Sequence, residues 1–336
     1  MARARHRRTG GLPALAGVAL ATALTGCTGE ASLLDPAGPA ARRVSGLWWV
    51  MFWISMVVFV VVLGFLVVTL ARSRARSEAV DRRPVKWGEP FIVAAGVIIP
   101  AIVLIGLFLL SLRDMSELSG PSADEGTPVT VEVVAKDWWW EVTYPESGAV
   151  TANEIHIPTG EPVRVRLLST DVIHSFWVPR LQVKKDNLTD RVNELWLEAD
   201  EPGRYRGQCA EFCGLQHANM LFYVIAEPRS RFDQWLEDQA EPAVATESAG
   251  RDVFLSSACS GCHTVRGTSA DAQAGPDLTH LASRSTIAAG ILANDRANLA
   301  LFVTDPQGVK PGAIMPPTEL TGEELTALLD YLESLD

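Results

Sequence analysis

Two unbroken apolar stretches stand out against an otherwise mixed chain. Leu47 to Leu70 and Phe91 to Leu112 contain no charged residue, and each exceeds 20 residues. A helix rising ~1.5 Å per residue needs about 20 residues to cross a hydrocarbon layer of ~30 Å. The pattern predicts a transmembrane hairpin over 46–113, with helices about 47–70 and 91–112. Pro100 is expected to kink the second helix. Between the runs, Arg72, Arg74, Arg76, Arg82, Arg83 and Lys86 outnumber Glu78, Asp81 and Glu89. Such a basic excess stays on the cytoplasmic side. Trp48, Trp49, Trp53 and Trp87 fall near the expected interfaces, and everything after Arg113 is expected outside the membrane.

The period then changes. Over 127–228, apolar and polar positions alternate, as in Val129-Thr-Val-Glu-Val-Val134 and in Val163, Val165 and Leu167 against Arg164 and Arg166. Leu195-Trp-Leu197 and Leu221-Phe-Tyr-Val-Ile225 continue the theme, with turns at Pro158-Thr-Gly160 and Glu201-Pro-Gly203. Short strands at this spacing predict a β-sandwich, expected to be antiparallel. From Arg229 the pattern becomes helical, residues 239–248 read as a linker, and 249–336 form a separate all-α domain. In the last helix Thr321 and Glu324 predict a capping box, while Leu325, Leu328, Leu329 and Leu332 form one apolar stripe.

A chain of 336 residues accommodates this multidomain plan. Its net charge of −11 disfavours nucleic acid and suits a basic protein partner. The N-terminus has the form of an export signal over 1–26: basic Met1 to Arg8, then a mostly apolar Leu12 to Leu24. Leu24-Thr-Gly-Cys27 is similar to a bacterial lipobox, which makes Cys27 a candidate lipidation site; ordinary cleavage nearby and an uncleaved segment are the alternatives.

The other four of the five cysteines form two close pairs. Cys209-Ala-Glu-Phe-Cys213-Gly-Leu-Gln-His217-Ala-Asn-Met220 concentrates two thiols, an imidazole and a thioether. His174, in Val172-Ile-His-Ser-Phe-Trp-Val-Pro179, lies upstream on an expected neighbouring strand. Soft sulfur donors with imidazole select copper over calcium or magnesium. A Cys209–Cys213 disulfide leaves the His and Met spacing without a purpose, and zinc rarely takes methionine.

Cys-x-Glu-x-Cys-Gly-x-x-His-x-x-Met with an upstream His-Ser-Phe-x-Val-Pro resembles the Cu-A domain of cytochrome c oxidase subunit II. The resemblance implies a cupredoxin fold and two copper ions bridged by Cys209 and Cys213. It implies His174 and His217 as terminal ligands, Met220 as a weak axial ligand, and Glu211 as a ligand through its carbonyl. The Glu211 carboxylate would then reach a magnesium or manganese ion at the boundary with subunit I. Lys136-Asp-Trp-Trp-Trp-Glu141 resembles the family's aromatic segment, which makes Trp138 the candidate point of electron uptake; a packed aromatic cluster is the alternative. Where the family often has Pro-Gly, this chain reads Lys185-Asp-Asn-Leu-Thr-Asp-Arg-Val-Asn193.

Cys259-Ser-Gly-Cys262-His263 is the c-type haem attachment motif, with the thiols for haem vinyl groups and the imidazole for iron. Phe254 precedes it and Gly275-Pro-Asp-Leu278 follows, as in small cytochromes c. After residue 225 the only methionine is Met315, in Asp305-Pro-Gln-Gly-Val-Lys-Pro-Gly-Ala-Ile-Met-Pro316. Elimination favours Met315 as second axial ligand, with His280 as the competing donor. No metal context surrounds His6 or His156.

The combined resemblance is to bacterial haem–copper oxidases whose subunit II bears its own haem c. It implies a cell-membrane complex with subunit I, subunit III and a cytochrome c donor. Dioxygen reduction and proton pumping are then expected in subunit I, since neither apolar run contains histidine. A nitrous oxide reductase would need a propeller domain for which the chain has no room. A quinol oxidase subunit II would lack the copper ligands. An orphan electron carrier remains open on these residues.

Overall fold

The computed structural model describes residues 29–75, 88–117, 129–244 and 247–336. The expected signal peptide, Cys27, His6, Trp87 and most of the basic stretch between the apolar runs lie outside the described residues.

Helix α1 (Pro39–Ala75) and the pair α2 (Gly88–Val93) and α3 (Ile99–Glu117) carry the apolar runs. They extend beyond the charge-free cores, because Pro39 suits a first helical turn and Arg42 and Arg43 tolerate helix. A π-helical turn, Ala94–Ile98, joins α2 to α3 just before Pro100. Proline lacks the N–H that an unbroken α-helix requires there, and a π turn is one way to absorb that loss. Both helices are long and apolar enough to cross a membrane, and their side chains are broadly exposed. Phe65 and Phe91 meet edge to face at 6.2 Å.

The second unit contains two layers of β-structure and a helical domain. One sheet has the order β3-β2-β1-β5-β8: β1 (Thr130–Lys136), β2 (Trp139–Tyr144), β3 (Ala149–Ala152), β5 (Val163–Ser169) and β8 (Asn193–Leu197). The other is β4-β10-β9-β6-β7: β4 (Glu154–Pro158), β6 (His174–Trp177), β7 (Lys185–Asn187), β9 (Gly203–Cys209) and β10 (Leu221–Glu227). The sandwich is mixed rather than wholly antiparallel. β1 runs parallel to β5, with Val131 opposite Val165, and β4 runs parallel to β10. Alternation reveals a strand's buried face but not its neighbour's direction. The inward residues, among them Val131, Val133, Val165, Phe176 and Phe222, form one core around Trp140. In the loop lacking Pro-Gly, Asn187 is buried and donates to the Val133 and Leu168 carbonyls.

Helix α4 (Arg229–Ala240) continues through the first two residues of the expected linker. Gln239 is buried there and donates to Ser283. His156 stacks on Trp235 at 3.9 Å and bonds Glu227 at 3.1 Å, a packing role. In the C-terminal domain, α5 (Ala249–Ser256) crosses α8 (Gly322–Glu333). Gly250 permits the crossing, since a Cβ there would collide with the Ala327 carbonyl. Thr321 and Glu324 form the capping box, and Leu328, Leu329 and Leu332 enter the core. Between them lie α6 (Arg296–Thr304), α7 (Pro306–Val309) and a small ribbon, β11 (Thr286–Ile287) with β12 (Leu292–Ala293).

Candidate functional site

At one end of the second sheet, β9 finishes at Cys209, and the chain turns through a 3₁₀ segment (His217–Asn219) before starting β10. The Cys209 N–H donates to the Met220 carbonyl at 3.0 Å, closing this excursion into a tight loop. Inside it, the Cys209 and Cys213 sulfurs are 3.7 Å apart. That exceeds the ~2.05 Å of a disulfide bond, and both thiols are free. His174 Nδ1 lies 3.9 Å from Cys209 Sγ, while His217 Nδ1 and Met220 Sδ lie 3.7 and 3.9 Å from Cys213 Sγ. Five soft or borderline donors thus surround one small volume. The Glu211 carbonyl faces it, 3.1 Å from Cys209 Sγ, whereas its half-exposed carboxylate lies 3.6 Å from Lys184.

His174 is wholly buried, and its second nitrogen, Nε2, sits 2.8 Å from Asp171. The carboxylate therefore fixes which ring nitrogen faces the sulfurs. Burial alone would raise the Asp171 carboxyl. Hydrogen bonds from His174 and from the Val172 and Asp137 N–H groups outweigh it and hold the group below the ordinary range. The His174 ring is pushed up, since bonds to Cys209 and Asp171 overcome its burial. A hydrogen bond from Cys213 draws the Cys209 thiol down to about 3, and the same partnership pushes Cys213 up. Binding a cation between the two sulfurs would favour the thiolate form of both.

The helical domain, with Asp137, Trp138, Trp139 and Asn153 of the sandwich, lines a cleft of about 1260 Å³ of atom-free space, part of it open to solvent. Cys259, Cys262, His263 and Met315 all line it, with mostly apolar neighbours such as Leu278, Ile287 and Phe302. His263 Nδ1 lies 2.7 Å from the Pro276 carbonyl, which makes Nδ1 the protonated nitrogen and leaves Nε2 free to ligate. Desolvation lowers the ring's basicity. Gly275 presses on the same ring, and a Cβ there would strike it. His280 does not line the cleft: its Nε2 bonds the Glu241 carbonyl at 3.0 Å.

Similarity to known proteins bears on both sites. Residues 149–227 match the family described as cytochrome c oxidase subunit II, periplasmic domain, and residues 247–336 match cytochrome c. A cytochrome c oxidase subunit 2 from Alkalihalophilus pseudofirmus is 36% identical, covering 93% of this chain and 93% of that protein. The chain belongs to the cytochrome c oxidase subunit II family. Another subunit 2, from Bacillus sp. (strain PS3), is 36% identical over 71% of this chain and 72% of its own length. A quinol oxidase subunit 2 from Bacillus cereus is 30% identical over 69% of this chain and 81% of its own length.

As a subunit II with a cytochrome c domain, the chain sets its two sites side by side. The Trp138 indole N–H donates to the Cys213 carbonyl at 2.7 Å, and Trp138 also lines the cleft. A methyl group at Gly312 would fall 3.7 Å from its ring. The two domains meet broadly: the Leu221 N–H donates to the Ala289 carbonyl at 3.0 Å, and buried Glu154 accepts the Ser285 N–H at 2.9 Å.

Several contributors escaped the sequence reading. Asp171 was visible only as an acid three residues before His174. Arg284, which no local motif singles out, lines the cleft as a buried side chain with its Nε unpartnered among the described residues. A cationic side chain held dry at a haem-sized cleft suits a ligand that carries carboxylates. Lys310 and Gln216 are buried where the two domains touch, and nothing in their local pattern announces that.

Proposed function

We propose that this chain is the electron-accepting subunit of a bacterial respiratory oxidase. When bound, dinuclear copper and covalent haem c would supply one-electron relay from a cytochrome c donor to subunit I, where dioxygen is reduced to water with proton pumping. The two apolar helices would anchor the chain in the cell membrane as a multi-pass protein, with both redox domains outside. Subunits I and III are the expected partners.

The donor chemistry fits these groups. Cys209 and Cys213 would hold the copper pair between His174 and His217, with Met220 and the Glu211 carbonyl as weaker ligands. Asp171 orients His174, and the buried core behind Met220 excludes water. Preorganised ligands on a β scaffold change little between oxidation states, which favours rapid transfer. Cys259 and Cys262 would carry the haem thioethers. His263 would offer Nε2 to the haem iron because the Pro276 carbonyl engages Nδ1, and Met315 would supply the second iron ligand. Arg284 would meet the propionates. The outward carboxylate of Glu211 would meet magnesium or manganese at the subunit I boundary.

Trp138 carries the functional reading. Its N–H is bonded to the backbone of one thiol ligand, and its ring borders the cleft of the other site. The fused cytochrome domain covers the surface that a separate donor would otherwise use, so donors are expected to dock on the haem side. Spectra of the purified complex test this. A mixed-valence dicopper paramagnetic signal and a low-spin c-type haem are expected, and Cys213→Ser should abolish the first while retaining the second. A zinc-filled site, or loss of both signals together, contradicts the reading.

A further inference from the structure

Lys310 and Gln216 belong to different domains and reach across the boundary in opposite directions. Lys310 is 4% exposed, and its Nζ donates to the Asn219 carbonyl at 2.9 Å and the Ala288 carbonyl at 3.3 Å. Gln216 is 3% exposed, and its Nε2 donates to the Pro311 carbonyl at 2.8 Å. Asn219 Nδ2 donates to Gln216 Oε1 at 2.8 Å, fixing which way that amide points. The four residues form a closed exchange: 216 and 219 flank His217, and 310 and 311 open the loop that ends in Met315.

That loop is braced internally. Gln307 Nε2 donates to the Ala313 carbonyl at 2.7 Å and the Met315 carbonyl at 3.0 Å, and its Oε1 accepts the Gly312 N–H at 2.9 Å. Gly312 adopts φ +85°, and a Cβ there would come within 3.0 Å of Leu215. A Cβ on Gly290, at φ +81°, would come within 2.9 Å of Leu221. Glycine at both points allows the backbones this approach. Among the described residues, Lys310 has no carboxylate partner within ion-pair distance. Charged or neutral, an amine can make both bonds.

We infer that Lys310 and Gln216 are positioning residues: a reciprocal latch that holds the methionine loop of the haem cleft in fixed register with the thiol loop. This goes beyond the proposed function but rests on it for the identity of the two groups. Removing either donor leaves a carbonyl of the opposite domain, Asn219 for Lys310 and Pro311 for Gln216, without its partner across the boundary, so either change should loosen both loops at once. The remaining contacts, such as Leu221 to Ala289 and Glu154 to Ser285, would still join the domains, but the register of the two loops would fluctuate. A fixed latch makes the cytochrome domain a stationary relay rather than a swinging one.

Lys310→Met and Gln216→Glu, made in the whole oxidase, test this by two readouts. Amide exchange at Leu221, Gly312 and Ala313 should accelerate at least tenfold in each variant, whereas the cores around Trp140 and Leu328 stay protected. Electron transfer from haem c to copper, followed after flash reduction of the haem, should slow at least tenfold with both optical spectra intact. Unchanged exchange and unchanged transfer would overturn the latch. So would loss of the copper signal in both variants, because the pair would then belong to the metal site's own fold. Gln216→Glu is isosteric and decides the matter if Lys310→Met does not fold. Absence of copper or haem from the parent would overturn the proposed function, while the exchange readout would still judge the latch.

Discussion

The thiol loop and the haem cleft solve the same problem in opposite ways. In the first, four donors fall within twelve residues, on a loop stretched between adjacent strands. Only His174 comes from elsewhere, and β6 pairs directly with β9, setting Phe176 opposite Cys209. In the second, His263 and Met315 are separated by an irregular stretch, the β11–β12 ribbon, α6 and α7. One site is preorganised by strand pairing; the other depends on long-range packing of a small domain around its ligand. The thiol loop should therefore keep its donor set together on loss of peripheral support even where its backbone loosens, whereas the cleft should respond sharply to loss of a wall residue.

Met315→Ala probes that contrast hardest. The haem is expected to turn high-spin or fall markedly in potential, with covalent attachment and the copper signal unchanged. An unaltered spectrum would return His280 to contention despite its bond to Glu241. Asp171→Asn addresses the other site. Losing the carboxylate that orients His174 should weaken copper retention roughly 10- to 100-fold without abolishing the signal, read by competition with a chelator. Full wild-type retention would mean that strand pairing alone positions the ring.

The smallest effect concerns the scaffold and should spare the cytochrome domain. The His156 bond holds the Glu227 carboxyl below its ordinary range. Its stabilisation is complete above the ordinary carboxylate pKa and is lost as pH falls through the lower folded value. Because the pair is partly exposed, the contribution is about 1 kcal/mol or less. Glu227→Gln should flatten the acid dependence of sandwich unfolding by that amount, with the haem domain's own acid transition unmoved. An equal change in both domains would show that they unfold together.

The same contrast explains what the sequence made legible. The thiol loop could be read directly because its donors are local and chemically unusual. The apolar helices and the last helix were equally plain, since period and length are local properties. Strand direction was not, which is why the sandwich was expected to be antiparallel although β1 runs parallel to β5. The cleft's attachment motif was visible, but Arg284 was not, because a buried arginine looks like any surface arginine until its neighbours are known. Lys310 and Gln216 were the least accessible. Their meaning lies wholly in a contact between residues 91 or more positions apart.

Rapid mixing of the oxidised oxidase with a reduced cytochrome c tests the central claim most directly. The account predicts that the haem c band is reduced first, at a rate proportional to donor concentration. The copper band should follow at a rate independent of donor. Copper reduction that precedes the haem, or that scales with donor while the haem stays oxidised, would contradict it.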